Sequence, residues 1–234
     1  MTKIKKHIET CPPNANATIE SIRSLGYDLG IAVSDIIDNS ITAEANKIWI
    51  FYSWQEEKSH IAIIDNGKGM NEKELFEAMR LGTTSPTVKR DKKDLGRFGL
   101  GLKTASFSQC RILTVKTRQK SDISLRKWDL DHVNKVNDWE LFTSTDKKSE
   151  KILDHKLNQL KKGTVVLWQG LDRLITLDDE KEKNKDYFYQ KIADLRQYLG
   201  MIFHRYISGP KSISIILAPD FNEDDNEYKI RPWD

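Results

Sequence analysis

The 234-residue sequence holds only two cysteines, Cys11 and Cys110. Two thiols cannot build a disulfide framework or a four-ligand zinc site, which excludes small secreted scaffolds and zinc modules. No apolar run approaches the roughly 20 residues that cross a bilayer. The first ten residues are charged and lack the apolar centre of a secretory signal. Charge of one sign is also scarce: 38 Lys and Arg against 35 Asp and Glu leave +3. That balance argues against nucleic acid as the main ligand of this segment. There is no fixed-period repeat and no low-complexity tract. What is there is 38% hydrophobic residues with six tryptophans, enough for a core and too much for a disordered chain. The expected setting is cytoplasmic, or nuclear in a eukaryote, with no membrane partner.

Cys11-Pro12-Pro13-Asn14 breaks regular structure, so residues 1–17 read as an N-terminal arm. Leu29, Ala32, Val33, Ile36 and Ile37 recur at three- and four-residue steps and predict a helix over Tyr27–Ala43. Strands are expected at Lys47–Trp54 and His60–Ile64, the second running into the turn Asp65-Asn66-Gly67-Lys68-Gly69. Asn71 with Glu74 reads as a capping box for a helix ending near Arg80. Gly82–Leu95 loses periodicity and reads as a loop of the length that often serves as a lid. Lys89, Arg90, Lys92 and Lys93 within it read as a solvated charge run. Further strands are expected at Ile112–Thr117, Ile123–Trp128, Trp139–Phe142, Thr164–Trp168 and Ser212–Leu217, and a long helix over Tyr187–Tyr206. Helices and strands mix without regular alternation, which favours an α+β fold. The chain ends at Asp234 without a helix terminator, so a piece of a longer protein is expected.

Three local patterns carry chemistry. Asp35, Asp38, Asn39 and Thr42 share one face of the first long helix, at i, i+3, i+4 and i+7. Apolar residues crowd its other sides, so this stripe either meets solvent or faces a cavity, a metal or a ligand. An amide one turn from a carboxylate suits a magnesium ligand, Asn39, beside a water-activating base, Asp35. Asp65-Asn66-Gly67-Lys68-Gly69-Met70 is, taken alone, a tight strand-to-helix turn. It also suits a flat base approaching the backbone, with Asp65 accepting from an exocyclic amine. Gly96-Arg97-Phe98-Gly99-Leu100-Gly101-Leu102-Lys103-Thr104 is either a hinge or a phosphate loop opening into a helix. It has neither the Walker spacing nor the dinucleotide fingerprint.

Together the order Asp35…Asn39, Asp65-x-Gly67-x-Gly69, Gly96-x-x-Gly99-x-Gly101 and Gly163-Thr164 resembles the four motifs of the GHKL ATPase superfamily. Its members are gyrase B, heat-shock chaperone, histidine kinase, MutL and MORC ATPase domains. Ile64–Met70 matches the second motif almost letter for letter, and Arg97–Ser106 is similar to the MORC-like third motif, lysine included. The resemblance spans residues 18–172 and implies a two-layer α/β sandwich, the Bergerat fold, with a mixed, mainly antiparallel sheet covered by helices on one face. Residues 173–234 would be an extension starting a transducer domain.

The resemblance implies magnesium-dependent ATP binding and slow hydrolysis, driving lid closure and homodimerisation in a MORC- or MutL-like switch. Asn39 would hold Mg2+, and Asp65 would bind the adenine amino group, with Thr164 helping through water. Gly67 and Gly69 would shape the base pocket, and Met70 would pack on the base. Gly96, Phe98, Gly99, Leu100, Gly101 and Leu102 would wrap the phosphates with Lys103 in support, and Thr83-Thr84 would start the lid. Asp35 and Lys103 would be the catalytic pair, although the family's base is normally Glu and Asp35 is one methylene shorter. Alternatives are a histidine kinase phosphotransferase and a non-hydrolysing ATP-gated module. Nucleic acid is a partner the resemblance implies for a longer protein.

Overall fold

The computed structural model describes residues 11–82, 101–175, 181–209, 212–222 and 224–233. The expected lid from Thr83 onward, the basic run within it, and Gly96 and Gly99 lie outside the described residues. Elements follow in chain order as α1 (Ala15–Arg23), α2 (Leu29–Thr42), β1 (Lys47–Ser53), β2 (His60–Asp65), α3 (Glu72–Met79) and α4 (Gly101–Phe107). Next come β3 (Ile112–Gln119), β4 (Asp122–Asp129), α5 (Leu130–Val136), α6 (Lys147–Leu157) and β5 (Gly163–Gln169). The chain closes with α7 (Lys181–Ile202), α8 (His204–Ser208), β6 (Ser214–Pro219) and α9 (Asp225–Tyr228).

The six strands form one sheet in the order β4-β3-β5-β2-β1-β6. All neighbours are antiparallel except β1 with β6. The class is α+β, with helices packed on a mixed, mostly antiparallel open sheet. Period-two alternation assigns the faces. Ile48, Ile50, Ile61, Ile63, Leu113, Val115, Val166 and Trp168 join Ala32, Val33, Ile36 and Ile37 of α2 in the larger core. Trp49, Phe51, Ala62, Ile64, Val165 and Leu167 form a smaller core on the opposite face with Ile152, Leu153 and Leu157 of α6. The central strands are therefore covered on both faces, which explains why β1 and β2 are nearly continuous apolar runs.

Local signals set the helix ends. Asp28 caps α2 by accepting from Gly30 N–H at 2.9 Å. Asn71 and Glu74 form the expected capping box on α3, each side chain accepting from the other's backbone.

Three expectations need correction. Trp139–Phe142 is not a strand: Phe142 makes one isolated bridge to Lys127, and Trp139 instead packs edge-on against Trp128. Its aromatic residues carry β propensity, but a single bridge does not extend the sheet. The last strand, expected to open a further domain, pairs in parallel with β1 from Lys47↔Ser214 to Tyr52↔Pro219. β5 and β6 run in the same direction, and α7 lies in the connection between them. That helix begins at Lys181 and ends at Ile202, a shift from the expected Tyr187–Tyr206, and Tyr206 sits in the short α8.

Candidate nucleotide site

Three strands of the helix-covered face end side by side. In the register, Asp65 of β2 stands opposite Thr164 of β5, and Thr164 stands opposite Thr117 of β3. Each continues the inward phase of its strand, after Ile61 and Ile63, before Val166 and Trp168, and after Leu113 and Val115. A row of three polar side chains therefore extends an apolar core at one end of the sheet.

Above this row lies a cavity of about 560 Å³. Its walls include Ile36, Asn39, Ser40, Thr42 and Ala43 of α2 and its C-cap, and Lys68, Gly69 and Met70 of the loop after β2. Glu77 and Ala78 of α3, Gly101, Leu102 and Lys103 of α4, and Val115 and Val166 of the sheet complete it. Mostly apolar walls with a few convergent polar groups are what a flat heteroaromatic ligand needs.

Asp65 is 7% exposed. Its Oδ1 accepts from Gly67 N–H at 2.7 Å, and its Oδ2 accepts from Ser40 Oγ at 3.2 Å. Burial pushes its carboxyl up to about 6, while the hydrogen bonds from Gly67, Ser40 and the Thr164 backbone pull it down. The loop after it leaves no room for side chains. A Cβ on Gly67 would stand 2.8 Å from Ala43 O and from Asp65 Oδ1. Gly69 has φ +67°, and a Cβ there would run into the Arg118 carbonyl. The glycines thus let the loop lie against the end of α2 on one side and the end of β3 on the other.

The sequence-expected residues separate into groups. Asn39, Asp65, Gly69, Met70, Gly101, Leu102, Lys103 and Thr164 line the cavity, and Gly67 braces its floor through Asp65. Asp35 does not line it, although a Cβ on Gly101 would stand 3.7 Å from Asp35 Oδ2. The Asp35 carboxyl is half-buried and pushed up by burial, as is Asp38, with Asp35 as a second cause for the latter. Lys103 is 2% exposed and its Nζ donates to Ala78 O at 2.8 Å, joining α4 to the end of α3. Burial lowers its ammonium to about 8. Thr83, Thr84, Gly96, Phe98, Gly99 and Leu100 lie outside the described residues.

Residues that the sequence reading passed over also shape the site. Ser40 of α2 is one of them, donating from Oγ to Asp65 Oδ2. Thr117 accepts from Met70 N–H at 2.9 Å and donates to Gly163 O at 3.1 Å. The available signal was its polarity at an apolar phase of β3, after Leu113 and Val115. Thr42 Oγ1, on the cavity wall, is buried without a hydrogen-bond partner among the described residues, a group that a bound ligand or water would satisfy.

The residues fit an adenine nucleotide at the base: a buried carboxylate, a glycine cradle and apolar walls converge there. For magnesium, Asn39 is exposed on the cavity wall and offers a hard amide oxygen. Among the described residues no three His, Cys, Asp or Glu side chains gather as a metal cluster. A magnesium ion here would therefore depend on Asn39, phosphate oxygens and water.

A family model described as "Histidine kinase-, DNA gyrase B-, and HSP90-like ATPase" matches residues 27–164, more than half of the chain. The chain is similar to Structural maintenance of chromosomes flexible hinge domain-containing protein 1 of Mus musculus, at 25% identity over 86% of this chain. Its Homo sapiens counterpart is 27% identical over the same share. The match covers 12% of each relative's length. Among solved structures, the N-terminal domain of a DNA repair protein has a TM-score of 0.53 at 20% identity, over 88% of this chain and 54% of that one. That likeness is one of fold.

Proposed function

Because the chain belongs to the family of histidine kinase-, DNA gyrase B- and HSP90-like ATPases, we propose that it binds ATP with magnesium in the cavity beneath α2 and hydrolyses it slowly. The observation that carries this reading is the buried carboxylate of Asp65, set at the cavity floor between glycine backbone and Ser40. A buried acceptor with a raised pKa calls for a donor from a ligand, and the 6-amino group of adenine supplies one. Met70, Val115, Val166 and Ile36 offer apolar surface to the ring. Asn39 would hold the magnesium ion, which supplies charge neutralisation for the phosphates. Lys103, already at the cavity wall, would add a point charge near the γ-phosphate on leaving the Ala78 carbonyl.

Turnover is proposed to run through Asp35 as base, acting through a water, since its shorter side chain lies outside the cavity lining. The same displacement favours a second reading, nucleotide binding without turnover. Lid closure by the segment Gly82–Leu95 and dimerisation through the N-terminal arm belong to the first reading. ATP would supply the population shift by binding the closed state better. The names of the similar proteins, one containing a structural maintenance of chromosomes flexible hinge domain and one a DNA repair protein, support nucleic-acid handling by a longer protein containing this domain.

The test is calorimetric titration with a non-hydrolysable ATP analogue, with and without magnesium, beside Asp65→Asn. Saturable, magnesium-dependent binding that the variant loses is expected. No binding by the unchanged chain, or binding that survives the substitution, would overturn the reading.

A further inference from the structure

Thr117 stands where three constraints on the base pocket meet. Its Oγ1 accepts from Met70 N–H at 2.9 Å, donates to Gly163 O at 3.1 Å, and lies 3.2 Å from Thr164 Oγ1. The side chain is 0% exposed. A hydroxyl has one proton and two lone pairs. The Gly163 carbonyl can only accept, so it takes the Thr117 proton. Both lone pairs then receive Met70 N–H and the Thr164 hydroxyl. That commits the proton of Thr164 to Thr117 and leaves Thr164 an acceptor toward the cavity that it lines. Beside it in the register stands Asp65, an acceptor once ionised.

The rest of the same strand end presses on the same loop. The Arg118 carbonyl occupies the space that a Cβ on Gly69 would need, and Gln119 Nε2 donates to Gly69 O at 3.4 Å and to Glu74 Oε2 at 3.2 Å. The loop carrying Met70 is therefore held against β3 at consecutive residues, and Thr117 joins that clamp to the polar row.

We propose that Thr117 is a positioning residue that sets base selectivity: it orients the Thr164 hydroxyl so that the floor formed by Asp65 and Thr164 presents acceptors only. Such a floor selects a base edge with an amino group at the 6 position and rejects a 6-oxo edge, whose oxygen would meet acceptors. This deepens the nucleotide reading above and rests on it.

The test compares the affinity of the unchanged chain, Thr117→Val and Thr117→Ser for the magnesium complexes of non-hydrolysable ATP and ITP analogues. Thr117→Val keeps the shape but frees the Thr164 proton to turn into the cavity and meet a 6-oxo group. It is expected to reduce the adenine-to-inosine ratio about tenfold, the size of one misplaced hydrogen bond. Thr117→Ser keeps the hydroxyl and is expected to keep the ratio. A role in folding alone would weaken both nucleotides together and leave the ratio unchanged, so an unchanged ratio in Thr117→Val overturns the proposal. Loss of the ratio in Thr117→Ser to the same degree also overturns it. Should Thr117→Val fail to fold, Thr164→Val, which removes the oriented hydroxyl itself, is expected to reduce the ratio, and a wild-type ratio there overturns the proposal. Absence of any binding by the unchanged chain is a separate result, and it removes the nucleotide reading and this proposal together.

Discussion

Ser40 Oγ donates to Asp65 Oδ2 at 3.2 Å, tying α2 to the end of β2 across the cavity floor. The bond favours the charged carboxylate, against a burial cost that already raises its pKa to about 6. Ser40 is itself buried, and its single hydroxyl proton is shared between the carboxylate and Ile36 O, 3.1 Å away, which holds Oγ in place on the floor.

Ser40→Ala is expected to raise the Asp65 pKa further and to weaken adenine-nucleotide binding at pH 7 by about tenfold, since a hydrogen bond to a charged group contributes roughly 1.5–3 kcal/mol. Calorimetric affinities of the variant and the unchanged chain measure this, and equal affinities would count against Asp65 as the base contact.

Asp65 should also make the ligand-free chain less stable as pH rises. Its folded pKa of about 6 lies above the ordinary aspartate value of 3.8, so between those values the folded state holds the proton that the unfolded state has lost. The resulting loss builds from about pH 4 to about pH 6 and is on the order of 3 kcal/mol above that window. Urea unfolding at pH 4 and pH 7.5 should show this slope, and Asp65→Asn should remove much of it. A variant with the same pH slope as the unchanged chain would show that Asp65 titrates normally.

Gly69 and Gly82 both have positive φ, +67° and +74°, but of the two only Gly69 faces a backbone carbonyl, and among the described residues nothing lies within 4 Å of a Cβ on Gly82. Gly82→Ala should cost about 1–2 kcal/mol from conformation alone. Gly69→Ala should cost more and should also abolish nucleotide binding, because the loop must leave β3. Thermal melting of both variants, with and without the ATP analogue, makes the comparison.

Asp35→Glu lengthens the side chain proposed to reach the attacking water, and phosphate release should rise severalfold. Asp35→Asn should reduce it to background while nucleotide binding persists. Equal turnover in both variants would place the base elsewhere.

The fold was legible wherever one period dominated. The inward phase of Leu29, Ala32, Val33, Ile36 and Ile37 placed α2, and Asn71 with Glu74 placed the start of α3. Trp139–Phe142 misled because aromatic residues carry β propensity without fixing a partner strand. β6 misled for a different reason: its parallel pairing with β1 joins residues far apart in sequence, a non-local contact that no local pattern encodes. At the site, Asp65 and Gly69 announce themselves through turn chemistry. Lys103 does not reveal its Ala78 contact, nor Thr117 its three bonds, because both depend on elements brought together by the sheet.

If Asp65 receives the amino group of adenine, its own titration must respond to the nucleotide. Carbon-13 NMR of the Asp65 side-chain carboxyl, assigned by Asp65→Asn, would follow its ionisation with and without the magnesium complex of the ATP analogue. A midpoint near 6 is expected in the free chain, with a fall of more than about one unit on saturation, because a donor from the base favours the charged form. A midpoint that the nucleotide leaves unmoved would contradict that contact.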